Sequence, residues 1–357
     1  MDRRELMKSL AAGLMTGGAL ATGALPGRAA AAEARPANER RPVIRPPRLE
    51  PGMTVGLIAP AGASSNREEV RYANDVLRSL GYRVKEGEHV YARTQYLAGT
   101  DRQRAADVNA MFADPDVHAI FTLRGGYGTM RTLPHLDYEL IARNPKIVIG
   151  YSDISGLLFG LHARTGLVGF HGPCATSTFS EYTLAEYKKV VADPRTGAII
   201  AAPPAVDYPE GRAERRNRIT TFIGGRARGP LIGGNLSLLS PLIGTPYAPD
   251  FNGAILFLED VNEAWYRIDR MLTHLLLAGK LQQLAGIVLG KFTKVPVEGN
   301  SFNLEEITEQ LLMPLDIPIV RGLMIGHIED KATVPLGIEA ELDADAGTLT
   351  LLEPAVV

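Results

Sequence analysis

The chain has very little of several things that define common protein classes. It holds one cysteine, Cys174, among 357 residues. That excludes an intrachain disulfide and a cysteine-ligated zinc site. It carries little net charge, since 38 Lys+Arg against 40 Asp+Glu leave −2. A nucleic-acid partner would call for a basic surplus, so none is expected. The 37 glycines and 24 prolines are scattered rather than clustered, which argues against a disordered or fibrous chain. None of the seven histidines pairs with another at metal-ligand spacing. No metal or other cofactor is therefore expected. Beyond the N-terminal region no stretch is apolar enough to span a bilayer. What remains is 45% apolar and 22% charged, the balance of a soluble globular protein of about two domains.

The first 34 residues read as an address. Arg3, Arg4 and Lys8 precede a weakly apolar run from Leu10 to Leu25, and small residues follow at Ala29–Ala31 and Ala32–Ala34. This is a signal-peptide layout with cleavage motifs. The paired arginines before Leu6, Met7 and Lys8 resemble a twin-arginine export signal. Gly17, Gly18, Gly23 and Pro26 interrupt the run, so a permanent membrane anchor is disfavoured. A periplasmic mature protein is expected, with the export machinery as a partner. Residues 35–49 are rich in Pro and Arg and predict a flexible lead-in.

From residue 53 onward apolar runs alternate with helical patterns. The runs at 53–60, 117–123, 146–152 and 167–170 read as buried strands, with helices over 66–80, 101–113 and 153–166. Asp101 is placed to cap the second of these. This rhythm predicts an α/β fold, with an N-terminal, mostly parallel sheet flanked by helices over 50–185. A linker is expected over 186–225. A smaller, mixed α/β C-terminal domain is expected over 226–357, with strands near 229–235, 254–260 and 286–292, an amphipathic helix at 266–281 and a hairpin at 338–353.

In an open parallel sheet, ligands gather at the carboxyl ends of the strands. RGGYG (124–128), GYSD (150–153) and HGP (171–173) fall there. Ser152 stands between a buried strand and a helix, the arrangement of a nucleophile elbow, although G-Y-S-D-I lacks the second glycine of that motif. On local pattern alone, a helix cap is the commoner use of such a serine. RGGYG offers backbone amides for an anion or an oxyanion but lacks the dinucleotide fingerprint. A serine nucleophile needs a base and an acid. Spacing does not choose between His171 and His327. Glu259 closes a buried strand beside Asp260.

The segments GLIAPA (56–61), YLAGTDRQRAADVNAMF (96–112), LRGGYG (123–128), GYSDIS (150–155), HGP (171–173), LIGGNLSLL (231–239), LEDVNEAWYRIDRML (258–272) and GH (326–327) occur in this order. Together they resemble the LD-carboxypeptidase, or muramoyltetrapeptide carboxypeptidase, family of serine peptidases. The resemblance spans about residues 50 to 353. It implies Ser152 as nucleophile, Glu259 as triad acid and His327 as base, with the amides of Gly126 and Asp153 as oxyanion hole. It also implies release of terminal D-alanine from murein tetrapeptides or muropeptides, a site at the domain interface, and a homodimer in some members. An exopeptidase must recognise a free carboxylate, for which Arg124 and Arg267 are candidates. Trp265 and Tyr266 are candidate pocket walls. The competing readings are an exported solute-binding protein, a nucleotide-binding protein using RGGYG, and a related serine amidohydrolase acting on peptide conjugates.

Overall fold

A strand buried on both faces has no polar side to present, which is why the short apolar runs of this chain become the centre of a sheet. The computed structural model describes residues 41–204, 217–296 and 299–357. The signal-peptide reading of residues 1–34 lies outside them. Five parallel strands, β1 (Thr54–Ile58), β2 (Arg83–Glu86), β3 (Ala119–Thr122), β4 (Ile147–Gly150) and β5 (Phe170–His171), lie in the order β2-β1-β3-β4-β5. Every residue of β3 and β4 is buried. The connecting helices are α1 (Arg67–Ser79), α2 (Asp101–Ala113) and α3 (Ile154–Thr165), with α4 (Glu181–Val191) following β5. The strand order reverses at β1, so a crevice opens at the carboxyl ends of β1 and β3.

The second sheet contains β6 (Ala198–Ile200), β7 (Thr220–Ile223), β8 (Arg226–Asn235), β9 (Ile255–Val261), β10 (Gly286–Thr293) and β11 (Ile319–Gly326). After β12 (Val334–Pro335), the hairpin β13 (Glu339–Asp343) and β14 (Thr348–Leu351) completes it. Its order is β6-β14-β13-β8-β9-β10-β11-β7. The four central strands, β8 to β11, are parallel and the outer ones antiparallel. Helix α5 (Trp265–Leu277) buries Ile268, Leu272 and Leu275, a stripe at helical spacing. The architecture is thus a two-domain α/β fold with a mixed second sheet.

Several expectations are corrected. Residues 41–49 are not a loose lead-in: Ile44 bridges Leu167, Leu49 is buried, and the Arg48 amide donates to the Val357 carbonyl. Leu167 pairs with Ile44 in an isolated bridge, and β5 is shorter than the apolar run, with His171 inside it. Residues 186–225 are not a simple linker, because β6 and β7 within them close the two edges of the second sheet; residues 205–216 lie outside the described ones. Helix α2 is capped by Thr100 rather than Asp101, through a reciprocal capping box with Gln103. Finally, β12 crosses back and pairs with β5 in the first sheet, so the C-terminal segment joins both layers.

Candidate active site

The turn after β4 carries the first chemical feature. Ser152 has φ 64, a left-handed backbone that a residue with a Cβ rarely adopts. Helix α3 starts immediately afterwards with Asp153 as its N-cap, and no side chain caps it by a hydrogen bond. Ser152 therefore does not serve as the cap; the sharp turn lifts its side chain off the strand instead. The Asp153 carboxylate turns to the neighbouring loop and accepts from the Thr129 amide at 2.8 Å, while Thr129 Oγ1 donates to the Asp153 carbonyl at 2.5 Å. Burial pushes the Asp153 carboxyl up, and the Thr129 and Gly128 amides and Arg104 oppose it.

These bonds fasten the end of RGGYG to the serine turn. The same loop is held from behind by Arg104, a wholly buried guanidinium on α2. It donates to the carbonyls of Pro60 at 2.6 Å and Gly128 at 2.7 Å, and to Asp101 at 2.5 Å. Gly126 has φ 119. At Gly125 an added Cβ would stand 2.8 Å from Ser152 Cβ, 3.1 Å from its Oγ and 3.4 Å from the Asp153 amide nitrogen. Only glycine lets this backbone lie against the serine.

The second sheet supplies the partner groups from its own carboxyl ends. Glu259, near the end of β9, is fully buried, and its Oε2 lies 2.6 Å from His327 Nδ1. Its other oxygen, Oε1, accepts from Asn235 Nδ2 at 3.2 Å and stands 3.6 Å from His171 Nε2. Burial alone would raise the Glu259 carboxyl. The imidazoles of His171 and His327 more than reverse that and hold it down at about 2. The His171 contact is too long for a full hydrogen bond, so the shorter bond to His327 is the stronger influence. Gly326, just before His327, has φ 135, and a Cβ there would fall 3.2 Å from Glu259 Oε2 and 2.8 Å from the Lys291 carbonyl. Glycine is thus what allows the end of β11 to bring His327 onto the carboxylate.

Asn235, at the end of β8, joins the two halves. Its amide donates to Ser155 Oγ on α3 at 3.1 Å, and its side chain donates to both Glu259 and Asp260. Asp260 is occupied by the Ser237 amide and hydroxyl at 2.9 and 2.7 Å. Ser152 and His327 then line one open cleft of about 230 Å³ together with Glu69, Arg124, Gly125 and Gly126. The Tyr151 and His327 rings pack edge to face, with centroids 4.8 Å apart. Cys174 also borders the cleft, but burial pushes its thiol up, so thiolate chemistry is suppressed.

Arg124 reaches this cleft and lies 3.2 Å from Glu69. Burial would raise the Glu69 carboxyl, but the Ser65 amide, Arg124 and the Ser64 and Ser65 hydroxyls lower it. Tyr266 and Arg267 do not reach Ser152. They sit on the exposed side of the first turn of α5, Arg267 lies 3.6 Å from Glu263, and both border a separate hollow with Asn262 and Ser301. Trp265 lines a third cleft.

Three features escaped the sequence reading: the Arg104 clamp, the Asn235 bridge, and Lys331. Lys331 is buried with its ammonium 5.1 Å from the centroid of the Tyr151 ring. Burial lowers its pKa, opposed by Cys174, Glu329, Asp330 and Glu259. The only local signal for any of them was the presence of Arg104 and Asn235 inside recognisable segments.

Comparison with known proteins agrees with this geometry. Residues 55–172 match the LD-carboxypeptidase N-terminal domain and residues 228–342 the LD-carboxypeptidase C-terminal domain. The chain is 36% identical over 305 residues to a murein tetrapeptide carboxypeptidase of Pseudomonas aeruginosa, covering 82% of this chain and 93% of that one. It is 28% identical over 335 residues to the microcin self-immunity protein MccF of Escherichia coli, covering 88% and 97%. A solved muramoyltetrapeptide carboxypeptidase from Oxalobacter formigenes superposes with a TM-score of 0.72 at 32% identity, covering 84% of this chain and 98% of that one. Both domain types are present in the right order, so the chain belongs to the LD-carboxypeptidase family of serine peptidases.

Proposed function

We propose that this hydrolase cleaves the L,D peptide bond before the terminal D-alanine of murein tetrapeptides, with Ser152, Glu259 and His327 as its triad. The observation that carries the reading is that Ser152, on a strained turn, and His327, anchored 2.6 Å from a buried carboxylate, border the same cleft. Ser152 Oγ attacks the scissile carbonyl carbon and passes its proton to His327. The amides of Gly126 and Asp153 receive the charge that forms on the carbonyl oxygen. His327 then protonates the nitrogen of departing D-alanine, and water attacks the acyl-serine with His327 again as base. Glu259 accepts from the Nδ1–H of His327, which fixes the tautomer and stabilises the imidazolium. Arg124 is the carboxylate anchor in this scheme, since it borders the serine cleft and Arg267 does not. A cleft of about 230 Å³ suits one small terminal residue.

The test is mass spectrometry of purified muropeptides incubated with the mature chain. Tetrapeptides are expected to lose one alanine and tripeptides none; intact tetrapeptides would discard the reading. The likeness to MccF supports a second reading, hydrolysis of an amide bond in a peptide conjugate. Turnover of such a conjugate with no attack on tetrapeptides would favour it.

We also propose that the enzyme acts in the periplasm after removal of residues 1–34, a reading supported by the basic start, apolar run and small residues of that segment. N-terminal sequencing of the protein from a periplasmic fraction is expected to begin near residue 32 or 35. An uncleaved chain confined to the cytoplasm would overturn it. Twin Lys replacements at Arg3 and Arg4 are expected to block export.

A further inference from the structure

His327 follows β11 in the second sheet, whereas Ser152 follows β4 in the first. Catalytic groups must be held within about 0.5 Å of their working geometry, and a misplacement of about 1 Å costs about 100-fold in rate. Something must therefore fix one half against the other. The loop that leaves His327, residues 328–333, returns to the first sheet through β12. Three consecutive residues of it dock on the nucleophile half. The Asp330 carboxylate accepts from Ser180 Oγ at 2.5 Å, and that serine caps α4. A carboxylate there also meets the positive end of the helix dipole. Thr183, in the first turn of α4, donates through Oγ1 to the Glu329 carbonyl at 3.2 Å and accepts from the Lys331 amide at 3.0 Å.

Lys331 is the costly member of this set. It is only 5% exposed. Its ammonium forms no salt bridge among the described residues, although Glu329, Asp330 and Glu259 lie around it. Its contacts are the Glu329 carbonyl at 3.4 Å and the face of the Tyr151 ring, 5.1 Å from the centroid. A buried ammonium without a counter-ion destabilises a fold. Retaining one beside a catalytic base points to a role in the site. Tyr151 is the residue before Ser152, and its ring packs on that of His327. One ring thus touches the base and the cation of the base's own loop, while its backbone adjoins the nucleophile. The negative face of the ring attracts the ammonium, which draws the loop onto the serine turn.

We propose that Lys331 is a positioning residue: from the loop behind His327 it grips the Tyr151 ring and so fixes the base against the Ser152 turn, with Asp330 on α4 as the second point of the latch. The inference rests on the triad assigned above.

Lys331→Met keeps the apolar stem and removes the cation. Its kcat for D-alanine release from a purified tetrapeptide is expected to fall about tenfold or more, with KM within about twofold of wild type. Lys331→Gln, which also lacks the charge, should behave alike. Lys331→Arg should stay within about fivefold of wild type, because a guanidinium also binds an aromatic face. A small alkyl fluorophosphonate with no peptide part supplies the second readout. Its reaction with Ser152, counted per folded molecule, depends on the base and not on substrate contacts, so it should slow by the same factor as kcat. Thermal unfolding should move the other way: Lys331→Met is expected to melt no lower than wild type, since a buried cation is gone. A residue serving the fold alone would lower the melting point and leave both rates per folded molecule unchanged. Rates within about twofold of wild type in the uncharged variants, a loss carried by KM alone, or an Arg variant as slow as Lys331→Met overturns the latch, while D-alanine release by the wild type still upholds the carboxypeptidase reading. No release by the wild type would remove that reading, and slower phosphonylation in the variants would still uphold the latch.

Discussion

Ser152→Ala is expected to lower D-alanine release from a murein tetrapeptide by about 10⁴-fold or more, with the fold intact. The variant keeps the Arg104 clamp, the Asp153–Thr129 bonds and the Asn235 bridge, since none of them uses the serine hydroxyl. It removes a hydroxyl that lies against the RGGYG backbone and borders the same cleft as His327. Cys174 is not a substitute nucleophile, because burial keeps it a thiol. Kinetics on a purified tetrapeptide measure the loss; activity within a few fold of wild type would remove Ser152 from the chemistry. Ser152→Gly makes a second comparison. It should be as inactive as the alanine variant, yet gain about 1 kcal/mol of stability, because glycine adopts φ 64 without the strain that a Cβ imposes. Thermal unfolding of the two variants side by side reads that difference. An equal or lower melting point for the glycine variant would mean that the turn is not strained.

Much of this arrangement could be read before any coordinates, and what could not be read has physical reasons. The strands β1, β3 and β4 were legible because burial on both faces demands unbroken apolar runs. The hairpin β13–β14 was legible from its alternation around a tight turn. By contrast, β12 has two residues and no pattern, and its place beside β5 follows from a partner more than 160 positions away. The tie of residues 41–49 to Leu167 and Val357 is equally non-local. In the site, the turn at Ser152 announced a strand-to-helix corner but not its function, since serine caps are common. Nothing in spacing could rank His171 against His327. Three dimensions separate them: both approach Glu259, but His171 is buried within β5, whereas His327 follows a glycine at a strand end and opens to the cleft. Arg104 shows the same limit, because a charged residue in a helix normally faces water and only the packed loop turns this one inward.

Glu259→Gln is expected to cost about 10³- to 10⁴-fold in kcat, although it replaces only a buried oxygen with an amide nitrogen. The carboxylate accepts on both sides: from His327 at one oxygen, and from Asn235 at the other with His171 nearby. Glutamine has one accepting oxygen and a donor, so satisfying Asn235 turns the donor toward His327 Nδ1 and favours the tautomer that cannot take the serine proton. The same substitution has a signature in stability. The Glu259 carboxyl sits at about 2 in the fold against 4.5 ordinarily. A carboxyl lowered by folding stabilises the native state above its unfolded value, and that contribution fades as pH falls from about 4.5 through about 2, amounting to roughly 3 kcal/mol. Denaturant unfolding at pH 6 and pH 3 should therefore show a steeper acid loss in the wild type than in Glu259→Gln, which has no proton to take up at that position. Parallel acid profiles would mean that Glu259 is not an ionised partner of the histidines. A kcat within a few fold of wild type would mean that Glu259 does not orient a catalytic base.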